Sequence, residues 1–478
     1  MEDSSSSRNR IVVGLSLFFI LATASCSGKT GDTNPPDAPI QLPPPGTATP
    51  PSLPSGTKEV LDSHVDGTQA APGSPASPSR STTPSPTQGA PGVALPTPIS
   101  TPASDYLIAA CVYQGGSEEI DLVSLDGLIQ TRLVSNSGDD NCNPAWSSDG
   151  LRIAFTSRQQ AAQYVETSIW MVNVDGTGLT NISTTFSIKN PWDYPRWSPD
   201  GQSFAMVSER GENRDIIVNR VDGTERRPIT DHPGLDENPF WAPDGEEIYY
   251  VSDQEGTLAI YAVGALGGES RKLADFEAMP GLAIWSPDGK KIATAFGEAG
   301  LSITDLVIGD TIHVDLAETM GWGAKYNIEL RWSPDGSRLA LISYVEHPPT
   351  LYVVGADGKG LRSLSDLSFA ESIPSPSWSP DGSQIIYTDY DPACDPYGEC
   401  NFDIYAVAVD NGQVRRLTQQ SSDEWLSLFS PDGRYILFAS DPGRSGENEG
   451  LYVMNRDGTG QRQLLRGVIL GASWRPLP

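Results

Sequence analysis

This sequence predicts an all-β chain folded as a ring of eight four-stranded sheets, and three observations predict it. An aromatic residue followed by Ser-Pro-Asp-Gly or a close variant recurs at Trp146, Trp197, Trp241, Trp285, Trp332, Trp378 and Phe429. With an eighth copy at Trp474, successive anchors lie 51, 44, 44, 47, 46, 51 and 45 residues apart, a period that belongs to stacked repeats. The eighth copy stops four residues after its Trp, whereas the segment from Tyr106 to Val134 reads as strands without such an anchor.

The unit at Trp332 shows how each repeat is built. Pro334 suits a turn position with φ near −65° and Gly336 one with positive φ, so Ser333-Pro-Asp-Gly336 closes a tight hairpin. Leu339 to Ser343 is a short, mostly buried strand, and Leu351 to Val354 is a second that ends at the hairpin signal Asp357-Gly358. Leu361 to Leu364 is a third. With the strand that carries the Trp, each period holds four antiparallel strands, the content of one β-propeller blade. Equivalent turns stand at Asp175-Gly176, Asp222-Gly223, Gly267-Gly268, Asn411-Gly412 and Asp457-Gly458.

The ends of the array close it. Trp474 marks a first strand with nothing after it, while Tyr106–Tyr113, Ile120–Leu125 and Thr131–Val134 read as second, third and fourth strands lacking a first. One strand plus three make a blade, and pairing them removes free sheet edges that would invite aggregation. The expectation is an eight-bladed β-propeller over residues 105–478, closed by pairing of the C-terminal strand with the three N-terminal ones. A seven-bladed ring is the alternative, because Gly297 to Ile312 departs from the pattern.

Trp-Ser-Pro-Asp-Gly, an aliphatic strand, an Ile-Tyr-Val strand, Asp-Gly and Arg-Leu-Thr together resemble the repeats of the TolB-like, WD-like (PD40-type) β-propeller superfamily. The resemblance covers residues 105–478 and implies the fold; it implies little about activity, because propellers host many unrelated ones. Family members of the Tol-Pal system carry an α/β domain before a six-bladed ring, and the segment before the ring here has no composition for such a domain.

That segment indicates export. Arg8 and Arg10 precede an apolar run from Ile11 to Ala22, too short to span a bilayer as a mature helix, so residues 1–26 read as a signal peptide. Ala22-Thr-Ala24 suits ordinary cleavage, whereas Ala24-Ser25-Cys26 resembles a lipoprotein box with Cys26 as acyl acceptor. Residues 27–104 hold 18 of the 40 prolines and no aromatic residue. Such a chain buries no core and is expected to be a disordered Pro/Ser/Thr tether with a reach of roughly 50 Å. A tether suits a lipid-anchored protein on the periplasmic or outer surface; free secretion is the alternative.

Setting Cys26 aside leaves four cysteines in a disulfide-permissive setting. Cys394 and Cys400 bracket one loop and are expected to pair; Cys111 and Cys142 either pair across the closing blade and its neighbour or leave Cys111 a buried thiol. Neither pair has His at ligand spacing, so no zinc or other metal site and no cofactor is expected. Of the net charge of −29, the first 104 residues contribute 5 basic against 7 acidic groups, leaving −27 on the propeller. Nucleic acid and anionic membrane surfaces are poor partners for that charge, so membrane contact is expected only through the lipid anchor.

Material for catalysis is sparse. His64 lies in the tether, and His232, His313 and His347 fall in different blades; no Gly-x-Ser-x-Gly elbow is present. The aspartates of the repeated turn, Asp200, Asp244, Asp288, Asp335, Asp381 and Asp432, suggest a metal-binding ring, but Asp before Gly stabilises a turn through its own backbone bonds. Residues that break the repeat are better candidates. Trp192, Trp322 and Trp425 each fall in the connection just before a first strand, and these connections share one face of a propeller. They also carry Asp139, Asp140, Asp193, Asp236, Glu237, Glu371, Asp423 and Glu424, with Tyr194 and Tyr326 nearby. An acidic rim studded with aromatics is expected there, suited to sugar stacking or peptide anchoring. The function expected is a monomeric, non-enzymatic scaffold that binds an envelope protein, a peptide or a cell-wall polysaccharide. A polysaccharide lyase or hydrolase acting in the channel is the alternative.

Overall fold

The computed structural model describes residues 106–477, except 115, 135–138, 161–164, 183–194, 211–212, 276–281, 297–299, 315, 317–327, 344–348, 368–375, 391–400, 421 and 442–448. Cys26, Cys394, Cys400, Trp192, Asp193, Tyr194, Trp322, Tyr326 and Glu371 therefore lie outside the described residues.

Eight four-stranded antiparallel sheets form the propeller. Blade 1 is the shared one: Val468–Trp474 pairs with Leu107–Gln114, which pairs with Ser117–Ser124, which pairs with Gln130–Val134. Blades 2 to 8 run in chain order over residues 139–181, 196–228, 236–275, 282–314, 328–366, 377–416 and 423–466. The seven-blade alternative falls at blade 5, where Lys291–Phe296, Gly300–Asp305 and Thr311–Val314 pair in regular register. The departure from pattern over Gly297 to Ile312 leaves these strands intact.

In every blade the strand bearing the repeat aromatic is the inner one. First strands of successive blades lie against one another, as Val468–Trp474 does against Asp139–Trp146 and Leu282–Trp285 against Ile328–Trp332. Fourth strands are the exposed ones, with Thr311–Val314 and Val414–Arg416 buried at few positions. Blade junctions are apolar: Leu341 and Trp332 of blade 6 pack with Ile303 of blade 5, and Ile385 and Trp378 of blade 7 with Ile342 and Leu351 of blade 6. Between blades 4 and 5 the same role falls to Phe240 stacked on Trp285, ring centroids 5.3 Å apart.

The repeat Trp also carries a polar tie. Trp241 Nε1 donates to Arg196 O (2.9 Å), Trp332 to Ile284 O (3.2 Å), Trp378 to Arg331 O (3.2 Å), and Trp146 to Ser473 O (3.1 Å). In each case the acceptor is the carbonyl just before the preceding blade's own Trp, so these junctions share one bond type, whereas Trp197 and Trp285 Nε1 have no partner among the described residues. At the closure Ser473 Oγ adds a bond to Pro144 O (2.9 Å), and Cys111 and Cys142 are joined in a disulfide from blade 1 to blade 2.

The turn after each Trp is a closed unit of hydrogen bonds. Asp335 Oδ1 accepts from Ser333 Oγ (2.6 Å) and Ser337 N (3.0 Å), while Ser333 Oγ accepts from Arg338 N (2.9 Å). The Ser-to-Asp bond recurs in the turns of Asp149, Asp200, Asp288, Asp381 and Asp432. Bonding from Ser333 foremost holds the Asp335 carboxyl below its ordinary range. These carboxylates are turn caps, as expected from Asp before Gly. Gly289 is needed twice over: its φ is +65°, and a Cβ there would stand 2.8 Å from Pro243 Cδ of the preceding turn. In the blade 4 turn Ala242 replaces Ser, leaving Asp244 with the Glu246 N bond (2.9 Å) and no seryl donor. Asp335→Ala is therefore expected to cost about 1–2 kcal/mol in chemical denaturation and Asp244→Ala about half as much; equal losses would remove the seryl bond from the account.

Candidate functional site

The ends of the inner strands that lead into the repeat carry the expected site residues, and three blades build this end alike. In blades 2, 4 and 8 the inner strand is long and bulged, with left-handed backbone three residues before the aromatic anchor, at Asn143 (φ 58°), Asn238 (φ 52°) and Leu426 (φ 57°). A bulge turns the strand and re-aims the side chains on either side. Five residues before the anchor stand Asn141, Asp236 and Glu424, all essentially inaccessible to solvent.

Asp236 and Glu424 therefore do not sit on an open rim; both are buried. Glu424 Oε1 accepts from Ser422 Oγ and from Ser440 Oγ (3.3 Å). Beside it, Thr418 Oγ1 donates to Asp403 of blade 7 (3.1 Å) and accepts from Ile404 N (2.8 Å), and Arg416 pairs with Asp403. Asp236 lies near Thr230 and Ser252, but neither of its carboxyl oxygens has a hydrogen-bond partner among the described residues, while Thr230 Oγ1 accepts from Ile216 N (2.8 Å). Burial raises the Asp236 carboxyl above its ordinary range against the pull of those hydroxyls. Burial likewise pushes Glu424 up to about 7, so it is largely protonated in mildly acidic solution. Asp423 also turns inward, its Oδ1 accepting Phe402 N across the blade 7–8 junction (3.0 Å).

Solvent still reaches Glu237 and Trp425. Glu237 is ion-paired with Arg214 of blade 3. Trp425 is half-buried against the apolar junction of blades 8 and 1, so part of its ring packs under its own strand and part stays open. Its Nε1 and the neighbouring Ser427 Oγ are buried without a hydrogen-bond partner among the described residues. Between them Leu426 occupies a backbone region that costs a branched L-residue about 1–2 kcal/mol. Leu426→Asn, the residue used at the equivalent point of blades 2 and 4, is expected to raise stability by about 1 kcal/mol in thermal unfolding. A loss would show that packing of the Leu side chain outweighs its backbone conformation.

A column that the sequence reading passes over is the residue immediately before each anchor: Ala145, Arg196, Phe240, Ile284, Arg331, Ser377, Leu428 and Ser473. Solvent reaches all eight, although they lie on the innermost strands. The aromatic stripe hid them, because attention to the conspicuous Trp obscures its neighbour. As for metals, the only grouping of candidate ligands among the described residues is Cys111, Cys142 and Glu118, and the disulfide occupies both sulfurs.

The family model of the TolB β-propeller domain matches residues 166–310 and 323–472, more than half of the chain. This chain belongs to that family. A peptidase of Bacillus subtilis, the uncharacterized YuxL, is 30% identical over 149 residues, 25% of this chain and 22% of its own length. The Tol-Pal system protein TolB of Francisella tularensis subsp. mediasiatica is 32% identical over 83 residues, 17% of each chain. The chain thus spans less than a quarter of the length of these curated relatives. Among solved structures, TolB from Acinetobacter baumannii aligns at 20% identity and a TM-score of 0.33, covering 68% of this chain and 82% of its own. An oligogalacturonate lyase in complex with manganese aligns at 16% identity and a TM-score of 0.41, covering 75% and 84%. The family match establishes the TolB-type propeller; a Tol-Pal system protein, a peptidase and a lyase all stand among the similar proteins.

Proposed function

We propose that this TolB-type propeller is an exported, lipid-anchored binding scaffold that takes an envelope protein, a peptide or a cell-wall polysaccharide on the face where the inner strands begin. The observation that carries the reading is Trp425, half-open on that face beside the buried, partnerless Ser427 hydroxyl and the strained Leu426. An aromatic ring with one open side fits both sugar stacking and peptide anchoring. Asp236, Asp423 and Glu424 would hold the base of that surface; Trp192, Asp193, Tyr194, Trp322 and Tyr326 lie outside the described residues.

The described histidines lend no support to the channel-lyase alternative. His313 lies on the outer strand of blade 5 against Ser302 Oγ (2.9 Å), and His232 lies in the connection before blade 4.

Two measurements test the proposal. Glycan-array and peptide-array binding of the mature chain is expected to fall tenfold or more in Trp425→Ala, the loss typical of a buried-edge aromatic anchor; undiminished binding would overturn the face assignment. For the anchor, labelled palmitate is expected in the wild-type chain and absent from Cys26→Ser, and equal labelling of both would refute lipidation at Cys26.

A further inference from the structure

The column before the repeat anchor forms a belt around the inside of the ring. Trp241 and Trp378 donate to the carbonyls of Arg196 and Arg331, which places those two arginines at one axial level, in blades 3 and 6. The other six members of the belt are small or apolar: two serines, an alanine, a phenylalanine, an isoleucine and a leucine. A chain of net charge −29 thus places no carboxylate in this belt and two guanidinium groups.

Arg196 stands out within it. It is solvent-exposed, yet surrounding protein removes enough water from its guanidinium to lower its pKa, and among the described residues no acidic group counters that effect. Several other arginines are answered by acids: Arg416 by Asp403, Arg132 by Glu119 and Asp121, Arg456 by Asp381. Arg331 is more occupied, with Nη1 donating to Leu330 O (2.7 Å) and Glu329 nearby on the same strand. A guanidinium presents a planar fork of donors that matches the two oxygens of a carboxylate or phosphate, and a partly desolvated fork gains most from such a partner.

We infer that the axial channel of this propeller holds an oxyanion site, with Arg196 as its principal ligand and Arg331 as a second cation at the same level. The group bound is a single carboxylate or phosphate carried on an otherwise uncharged ligand, because the acidic exterior repels polyanions before they reach the belt. The inference stands apart from the Trp425 face, since different residues and different probes test the two.

Arginine modification by phenylglyoxal, read residue by residue by mass spectrometry on the wild-type mature chain, needs no variant to fold. At constant ionic strength, inorganic phosphate or glutarate is expected to slow adduct formation at Arg196 at least fivefold. Arg434, whose side chain is 75% exposed, serves as the control and is expected to react at an unchanged rate. Protection by phosphate alone identifies a phosphate site, by glutarate alone a carboxylate site, and by both a general oxyanion site. Equal rates at Arg196 with and without either anion, or equal slowing at Arg434, would overturn the inference. In a second measurement, the anion-dependent rise in Tm seen in the wild type is expected to vanish in Arg196→Gln/Arg331→Gln, whose Tm without anion stays near the wild-type value; a persisting rise would place the anion elsewhere.

Discussion

Ending the chain at Gly467 is expected to abolish the single cooperative unfolding transition and to convert the protein into oligomers. The cut removes Val468–Trp474, the inner strand of blade 1, and leaves one edge of Leu107–Gln114 without its partner. Trp146 loses its acceptor at Ser473 O and Pro144 loses the Ser473 hydroxyl, so the junction of blades 1 and 2 loosens as well. Ile469 and Trp474 leave the apolar cluster shared by blades 8 and 1. Burial of two such side chains is worth about 4–6 kcal/mol, and the ladder hydrogen bonds add to it, which together rival the whole stability of a typical domain. The exposed strand edge then becomes a template for pairing with another chain. The Cys111–Cys142 bridge still ties blade 1 to blade 2 in the truncated chain and restrains a loop of 31 residues, a contribution of about 3–4 kcal/mol. Reduction is therefore expected to damage the truncated chain far more than the intact one. A truncated chain that stays monomeric, with an unchanged transition by calorimetry and light scattering, would show that the ring does not need its closing strand.

The fold was legible because the repeat is redundant. Seven copies of one turn, all with Gly and six with Pro where the backbone demands them, leave little freedom, and the cut-off eighth copy at Trp474 together with the anchorless strands from Leu107 to Val134 gives both blade count and closure. The site was less legible for a physical reason. Aspartate and glutamate in a connection read as surface residues, but Asp236 and Glu424 sit where a bulged inner strand is packed against the preceding blade, and both are buried. Sequence spacing shows that they precede the anchor by five residues; it does not show that the bulges at Asn238 and Leu426 turn them inward. Trp425 is half-buried, part rim and part core, and Arg196 gives no signal in the sequence because a lone Arg beside Trp makes no motif. Only the closed ring makes a residue on the inner strand both exposed and surrounded.

The buried glutamates predict an unusual pH dependence. Burial foremost pushes Glu329 and Glu424 each up to about 7, from 4.5 for an unperturbed glutamate. Glu329 has neither carboxyl oxygen bonded among the described residues, whereas Glu424 is met by seryl hydroxyls, so Glu329 gains least from being charged. Between pH 4.5 and about 7 the folded chain holds protons that the unfolded chain has released, and stability falls as pH rises through that window. The turn aspartates act in the opposite sense. Asp335, Asp381 and Asp432 are held below their ordinary range, so their contribution is present above about pH 4 and is lost as pH falls. The two effects place maximum stability near the lower end of the glutamate window, on the acidic side of neutrality. Glu329→Gln and Glu424→Gln keep the shape of the side chain and remove the titration. Each is expected to flatten the decline above pH 5 and to raise stability at pH 8 by up to about 3 kcal/mol, the full value of such a shift. The gain is expected to be smaller at Glu424, where an amide must still satisfy Ser422 and Ser440. Urea denaturation of the three chains from pH 4 to pH 8 measures this directly. A wild-type protein whose stability rises steadily from pH 5 to pH 8, or glutamine variants that lose stability at pH 8, would mean that these carboxyls are ionised within the fold and held by charge instead of by burial.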